Sequence, residues 1–346
     1  MHTETLIETL DTHTAGEPTR IITSGANRSQ LHGGTVADKC REFADGQDWL
    51  RELVLCEPRG HDDMFGAVPV EPTAEEADLG LFFMDTGGYL EMCGHGTIGA
   101  VTALLETGQL EARETITVET PAGLVRTHPA VDETGRVESV AIRNVESFVY
   151  DALTVSLETG ESARSVPVDI VFAGNVFALV DAAALERAIE PERVEAFVED
   201  GLEIRRAIND RLDVVHPFTG ERQPVSLVEF YERGGDGDAD RNVVVFGDGQ
   251  VDRSPCGTGT CAKMTLLHRE GALAVEEPYA YESVIGTRFT GRLLEAEKRD
   301  GITVTTPEIR GSAHITGRHT FLKDPEDAVT GFSLTGSADG TGTDTL

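Results

Sequence analysis

Lysine is almost missing from this chain: only Lys39, Lys263, Lys298 and Lys323 occur in 346 residues. Arginine carries the rest of the positive charge, and 61 acidic against 29 basic residues leave a formal net charge of −32. Such a field repels a phosphate backbone, which excludes nucleic acid as a partner. The acidic residues are spread along the chain rather than massed in one tail, so acidity is a whole-surface property. A lysine-poor, acidic surface suits a high-salt cytoplasm, where salt screens self-repulsion, and the chain is read as halophilic. Long apolar runs are also missing. The most apolar candidate, Val168 to Leu185, is interrupted by Asp169, Asn175 and Asp181, so no membrane span is expected. The start, Met1-His2-Thr3-Glu4, has neither the basic residues nor the apolar core of a signal peptide, and a cytoplasmic location is expected. Cysteine is scarce and odd in number: Cys40, Cys56, Cys93, Cys256 and Cys261. With that start, an odd count argues against a disulfide framework. Cys40, Cys56 and Cys261 carry no motif and are read as small buried hydrophobes.

What is present is an internal repeat. Cys93-Gly94-His95-Gly96-Thr97 and Cys256-Gly257-Thr258-Gly259-Thr260 share the pattern C-G-x-G-T. Asp85 and Asp248 each precede the cysteine by eight residues, and Gly108 and Gly271 each follow it by fifteen. Leu110 and Leu273 keep the register two residues further on. The chain is long enough for two domains, and the repeat suggests two similar halves, each offering one cysteine at a helix start. The boundary is placed near Ser147. Residues 1–147, with returning C-terminal strands in 317–346, form one half, and residues 148–316 form the other.

Strand-like stretches are numerous: Thr5 to Asp11, Leu53 to Leu55, Gly80 to Met84, Thr115 to Thr120 and Val137 to Arg143 in the first half. Val168 to Phe172, Val176 to Val180, Asn242 to Phe246 and Ile302 to Thr306 follow in the second. Helices are expected at Gly94 to Glu106 and Gly257 to Glu270, and in the middle at Ala182 to Ala188, Pro191 to Glu199 and Gly201 to Leu212. The fold class is therefore mixed α and β, with mostly antiparallel strands and one central helix per half.

A cysteine followed by glycines at a helix start lies where backbone N–H groups are unpaired and point outward. Their partial positive charge favours a thiolate, so a lowered thiol pKa is expected. The same N–H groups suit a carboxylate, and glycine lets a ligand approach the backbone. Two such units facing one another would place a thiol on either side of a single carbon. One sulfur removes a proton from one face, and the other delivers a proton to the opposite face. This two-base inversion needs no cofactor. Cys93 and His95 supply only two metal ligands and no C-x-x-C or H-x-x-x-H pair completes a set, so no metal is expected. A reading from another class makes the two thiols a reversible disulfide in a thiol-regulated binding protein without turnover.

Met92 to Gly99 and Asp252 to Thr260 resemble the two signature motifs of the proline racemase family. Asp11 to Pro18, Asp169 to Val180 with Gly174-Asn175, and Arg310 to Gly317 resemble three further family segments, so the resemblance covers nearly the whole chain. It implies a diaminopimelate-epimerase-like fold of two pseudo-symmetric domains, each wrapping a sheet around a central helix. It implies Cys93 and Cys256 as paired acid and base. Gly94, His95, Gly257 and Thr258 would hold the carboxylate and ring nitrogen of an imino acid, and Asp252 would meet its ammonium. It also suggests a homodimer.

Within the family, enzymes that dehydrate trans-3-hydroxyproline resemble this pattern but usually carry threonine at the second cysteine. Cys256 therefore favours inversion. Proline racemases tend to read Asn-Ser after the histidine, and hydroxyproline epimerases Gly-Thr. With Gly96 leaving room for a ring hydroxyl and Thr97 able to bond it, 4-hydroxyproline is the expected substrate, with proline as the alternative.

Overall fold

Two helices are buried on nearly every side, and the strands are arranged around them. The computed structural model describes residues 5–159, 162–235 and 238–333. Its four α-helices are α1 (Val36–Leu55), α2 (Gly94–Glu106), α3 (Val194–Asn209) and α4 (Gly257–Arg269). In α2 every residue from Gly94 to Leu104 is buried, and in α4 every residue from Gly257 to Leu267. Helices buried all round, rather than along one stripe, form the centre of a core.

Thr5–Thr14 pairs antiparallel with both Glu17–Ser24 and Ala313–Lys323, so the last long strand returns to the first. Pairing then runs through Gly66–Val70, Leu79–Met84, Ile116–Thr120, Gly123–Val131 and Val137–Arg143. Several of these strands pack on α2. Around α4 the pairing closes into a ring. It runs from Ser147–Thr159 through Ser162–Phe172, Val176–Asp181, Leu227–Glu232, Asp240–Phe246, Tyr279–Ser283 and Arg288–Arg299 to Ile302–Gly311, which pairs back with Ser147–Thr159. Ile302–Gly311 also pairs with Val137–Arg143 and joins the two halves. Residues 334–346 of the returning segment, and residues 236 and 237 of the acidic glycine-rich loop, lie outside the described residues.

The matched glycines of the repeat have a local explanation. Gly108 and Gly271 both take a left-handed conformation, at φ 71° and 75°, just after α2 and α4. The next residues close each helix in the same way, with Gln109 N–H donating to Leu104 and Ala272 N–H to Leu267. Each is a helix C-terminus that glycine adopts at little cost.

Three expectations need correction. Leu53 to Leu55 is the last turn of α1, not a strand. The helical signal was available: Thr35 caps the N-terminus by accepting from Asp38 N–H, and Val36, Cys40, Phe43, Leu50 and Val54 share the buried face. Ala182 to Ala188 is only one 3-10 turn, Ala182–Leu185, ended by Glu186 at φ 54°. Pro191 to Glu199 and Gly201 to Leu212 are largely one helix, α3, entered through a 3-10 turn at Pro191–Arg193. Gly201 does not break α3: a Cβ there would lie 3.1 Å from Val245 Cβ, so glycine seats the helix on the sheet.

Candidate active site

Each cysteine of the repeat is the N-cap of a central helix. Cys93 Sγ accepts from Gly96 N–H at 3.2 Å, and Cys256 Sγ from Gly259 N–H at 3.4 Å. The carbonyl just before each cysteine is held by an asparagine from a neighbouring strand or turn. Asn175 donates to Met92 O at 2.7 Å, and Asn242 donates to Pro255 O at 2.8 Å. The two helix starts meet head to head at their glycines. A Cβ on Gly94 would lie 2.8 Å from Gly257 Cα, and one on Gly257 the same distance from Gly94 Cα. No real side chain tolerates that approach, so glycine at both positions is what lets the two N-termini face one space. Cys256 is held at φ 57°, a conformation that costs a non-glycine residue of order 1–3 kcal/mol and that clusters at working sites.

The cleft between them has an empty volume of about 300 Å³. Cys93, Gly94, His95, Asp252, Cys256, Gly257 and Thr258 all line it, so seven residues named from the sequence meet in one place. Gly96 and Thr97 do not line it. A Cβ on Gly96 would meet Cys93 Sγ, Phe83 and Phe65, and the Thr97 hydroxyl donates to Cys93 O at 2.7 Å within its own helix. The direct contact of Gly96 and Thr97 with a ring that the sequence reading expected is therefore not seen among the residues that line the cleft.

Residues that the sequence did not single out complete the cleft. Phe65, Leu90, Leu227 and Phe246 give it apolar walls, with Met92 beside Cys93. Glu17 is wholly buried and accepts from Arg253 N–H at 2.6 Å, so the Asp11 to Pro18 motif fixes the loop that carries Asp252. Periodicity marks such residues only as apolar or acidic; that they converge is a matter of topology.

The thiols differ from expectation. Burial pushes the pKa of both Cys93 and Cys256 well above the ordinary range. The helix N–H groups oppose this, and nearby carboxylates reinforce it. Asp252 and Glu17 act on Cys93, and Asp252 and Glu229 act on Cys256. The N-terminal position does favour the thiolate, but desolvation of two fully enclosed sulfurs is the larger effect. His95 lies 3.3 Å from Cys93 Sγ through Nδ1 and 3.9 Å from Asp252. Burial lowers its pKa, against the pull of Asp252, so the imidazole is neutral near pH 7 and within hydrogen-bonding reach of the Cys93 thiol. Thr258, at the equivalent place in the other half, lies 3.8 Å from Cys256 Sγ.

The proline racemase family model matches residues 9–333. The chain belongs to the proline racemase family. A proline racemase from Acetoanaerobium sticklandii is 44% identical, over 93% of this chain and 96% of that protein. A 4-hydroxyproline 2-epimerase from Streptosporangium roseum is 37% identical, over 94% and 98%. The crystal structure of a hydroxyproline epimerase from Agrobacterium vitis, with bound trans-4-hydroxy-L-proline, superposes with a TM-score of 0.88 at 31% identity, covering 97% of this chain and 98% of that one. These family relatives are racemases and epimerases, and the fold is diaminopimelate-epimerase-like, as the sequence motifs implied.

Proposed function

We propose that this protein inverts the α-carbon of a proline-type imino acid, with Cys93 and Cys256 as the two bases. The observation that carries the reading is the paired thiols, each capping a helix whose N-terminus opens on one cleft beside Asp252. The substrate carboxylate sits on the outward N–H groups of the two helix starts. Its ammonium pairs with Asp252, whose other oxygen is oriented by Ser254 N–H at 2.8 Å. That pairing also offsets a negative charge that holds the thiol protons in place, so ionisation of one sulfur is coupled to substrate binding. One thiolate then takes the α-proton, and the opposing thiol delivers its own from the other side. Closure of the two halves excludes water. The retained second thiol disfavours dehydration, which needs one base.

For the ring, proline is the reading the geometry favours. With Asn175 as a further polar residue, the apolar residues of the lining include Phe65, Leu90, Leu227 and Phe246. Burying a hydroxyl among them without a partner costs about 1–3 kcal/mol. 4-Hydroxyproline is the second reading, supported by the Streptosporangium relative and the Agrobacterium structure. The test is incubation of L-proline and trans-4-hydroxy-L-proline, separately, in D2O at high KCl, with α-proton exchange followed by NMR and products resolved by chiral chromatography. Inversion of proline with the higher kcat/KM is expected, and exchange with neither would overturn the function. Asp252→Asn keeps the Ser254 contact but removes the charge. A charge-assisted hydrogen bond contributes about 1.5–3 kcal/mol, so kcat/KM should fall roughly 10- to 150-fold, measured by polarimetry. An unchanged value would remove Asp252 from ammonium binding.

A further inference from the structure

Behind α4 lies a carboxyl that the two-base reading leaves unused. Glu229, on Leu227–Glu232, is wholly buried. Its Oε1 accepts from Tyr281 O–H at 2.6 Å, while Oε2 has no hydrogen-bond partner among the described residues. Oε2 points into the slot left by the missing side chain of Gly259. A Cβ on Gly259 would overlap Oε2 and lie 3.2 Å from Cys256 Sγ. Carboxyl oxygen and sulfur thus border the same small space. At Gly96, the equivalent glycine, the slot beside Cys93 is bordered by Phe83 and Phe65. The two slots therefore differ in chemistry: aromatic beside Cys93, carboxyl beside Cys256.

We propose that Glu229 is a positioning residue for Cys256: the carboxyl and the thiol share one proton across the Gly259 slot, making the two thiols of the pair unequal. With the proton on Oε2, the carboxyl is neutral and no longer opposes a Cys256 thiolate across the slot. With the proton on Sγ, the carboxylate opposes ionisation of the thiol. The proton count is the same in both forms, and only its position differs. This deepens the two-base reading and rests on it for its catalytic meaning, because an inverting pair needs one ionised and one protonated sulfur.

Every element packed on Glu229 contributes to its state. Burial raises its pKa to about 7, and Tyr281, Lys263 of α4 and Asn242 oppose the rise, while Asp252 adds to it. Cys261 of α4 also faces it, and Tyr279 lies within electrostatic reach. Lys263 is itself buried, with no hydrogen-bond partner at Nζ among the described residues, and Nζ sits 3.1 Å from the centre of the Tyr231 ring. Burial lowers its pKa to about 8, against the pull of Asp240 and Glu229. A coupled acid pair titrates in two steps. The first proton leaves the doubly protonated pair near pH 7, and the remaining population is mainly carboxylate and thiol, with Cys256 thiolate as its minor form.

The test is the rate of iodoacetamide alkylation at Cys93 and Cys256 against pH, read separately by mass spectrometry. Cys256 in the unmodified protein should show two rises, the first near pH 7. In Glu229→Gln, nearly the same size but unable to ionise, the first rise should vanish and the Cys93 profile should stay as it was. Tyr281→Phe removes the donor that favours the carboxylate, so the first rise should move to higher pH; this second variant decides the matter if Glu229→Gln misfolds. A single rise at Cys256 in the unmodified protein, or the same Cys256 profile in Glu229→Gln, would overturn the proposal. Alkylation needs no substrate, so either result stands apart from whether the protein inverts an imino acid.

Discussion

Cys93→Ala and Cys256→Ala should each abolish inversion while leaving the fold in place. General acid–base groups contribute about 10²–10⁴ in rate, and inversion needs both a remover and a donor on opposite faces, so loss of at least about 10³-fold in kcat is expected for either variant. The change is small in volume. Each sulfur faces a cleft, and the N–H of Gly96 or Gly259 that it accepts from stands at a helix start, where water or substrate can take over the acceptor's place. Circular dichroism should therefore match the parent. A finer result separates two bases from one. A variant that keeps a single thiol can still remove and return a proton on one face. In D2O it should wash deuterium into one enantiomer with retention, and the complementary variant into the other. Full inversion by either single variant would refute the two-base reading. Exchange of both enantiomers by one variant would point to a water or His95 acting on the opposite face.

The largest expected stability effect lies away from the cleft, at Asp11. Its carboxylate receives Arg20 through Nε at 3.1 Å and Nη2 at 2.7 Å, with both side chains under a tenth exposed. Arg20 also donates to Val54 O and, at 2.8 Å, to Arg59 O, and its guanidinium lies 4.5 Å from the Phe321 ring centre. One cation thereby joins the first two strands, the end of α1 and the returning strand Ala313–Lys323. Asp11→Ala leaves that cation enclosed without its partner, and removing one member of a buried pair costs about 3–5 kcal/mol. Thr9, which donates to Asp11 at 3.0 Å, loses its acceptor as well. Urea unfolding at fixed KCl should give a lower midpoint with an unchanged slope. Asp213, paired with Arg222 where both side chains are about two-thirds exposed or more, is the control. Its alanine variant should lose no more than about 1 kcal/mol. Equal losses at the two sites would remove the special role of Asp11.

These two sites differ in how much of them could be read from the chain. The cysteine pair was legible because every part of its signal is local. A cap, two glycines, an apolar helix and a left-handed glycine at its end lie within about twenty residues, repeated once, and the structure gives α2 and α4 a cysteine cap and the same finish, with only Cys256 at positive φ. Asp11 was visible only as part of a motif, since its partner Arg20 is held by Val54 and Phe321 from two further elements. Glu229 was not visible. In Leu-Val-Glu-Phe-Tyr-Glu an alternating acid reads as the wet side of a strand, and only the seating of α4 on that face buries it.

The thiol chemistry divides along the same line. Sequence by itself determined that two cysteines cap two equivalent helices and that Gly94 and Gly257 leave their backbones bare, because capping and glycine conformation depend on near neighbours. Tertiary structure decided how those sulfurs ionise, because desolvation and the fields of Glu17, Glu229 and Asp252 depend on what is packed around them. It also turned Thr97 back onto its own helix and brought Phe65, Leu90, Leu227 and Phe246 into the lining of the cleft. Local geometry is set by residues a few positions apart, whereas the dielectric and the partners at a buried atom are set by strands and helices up to hundreds of positions away.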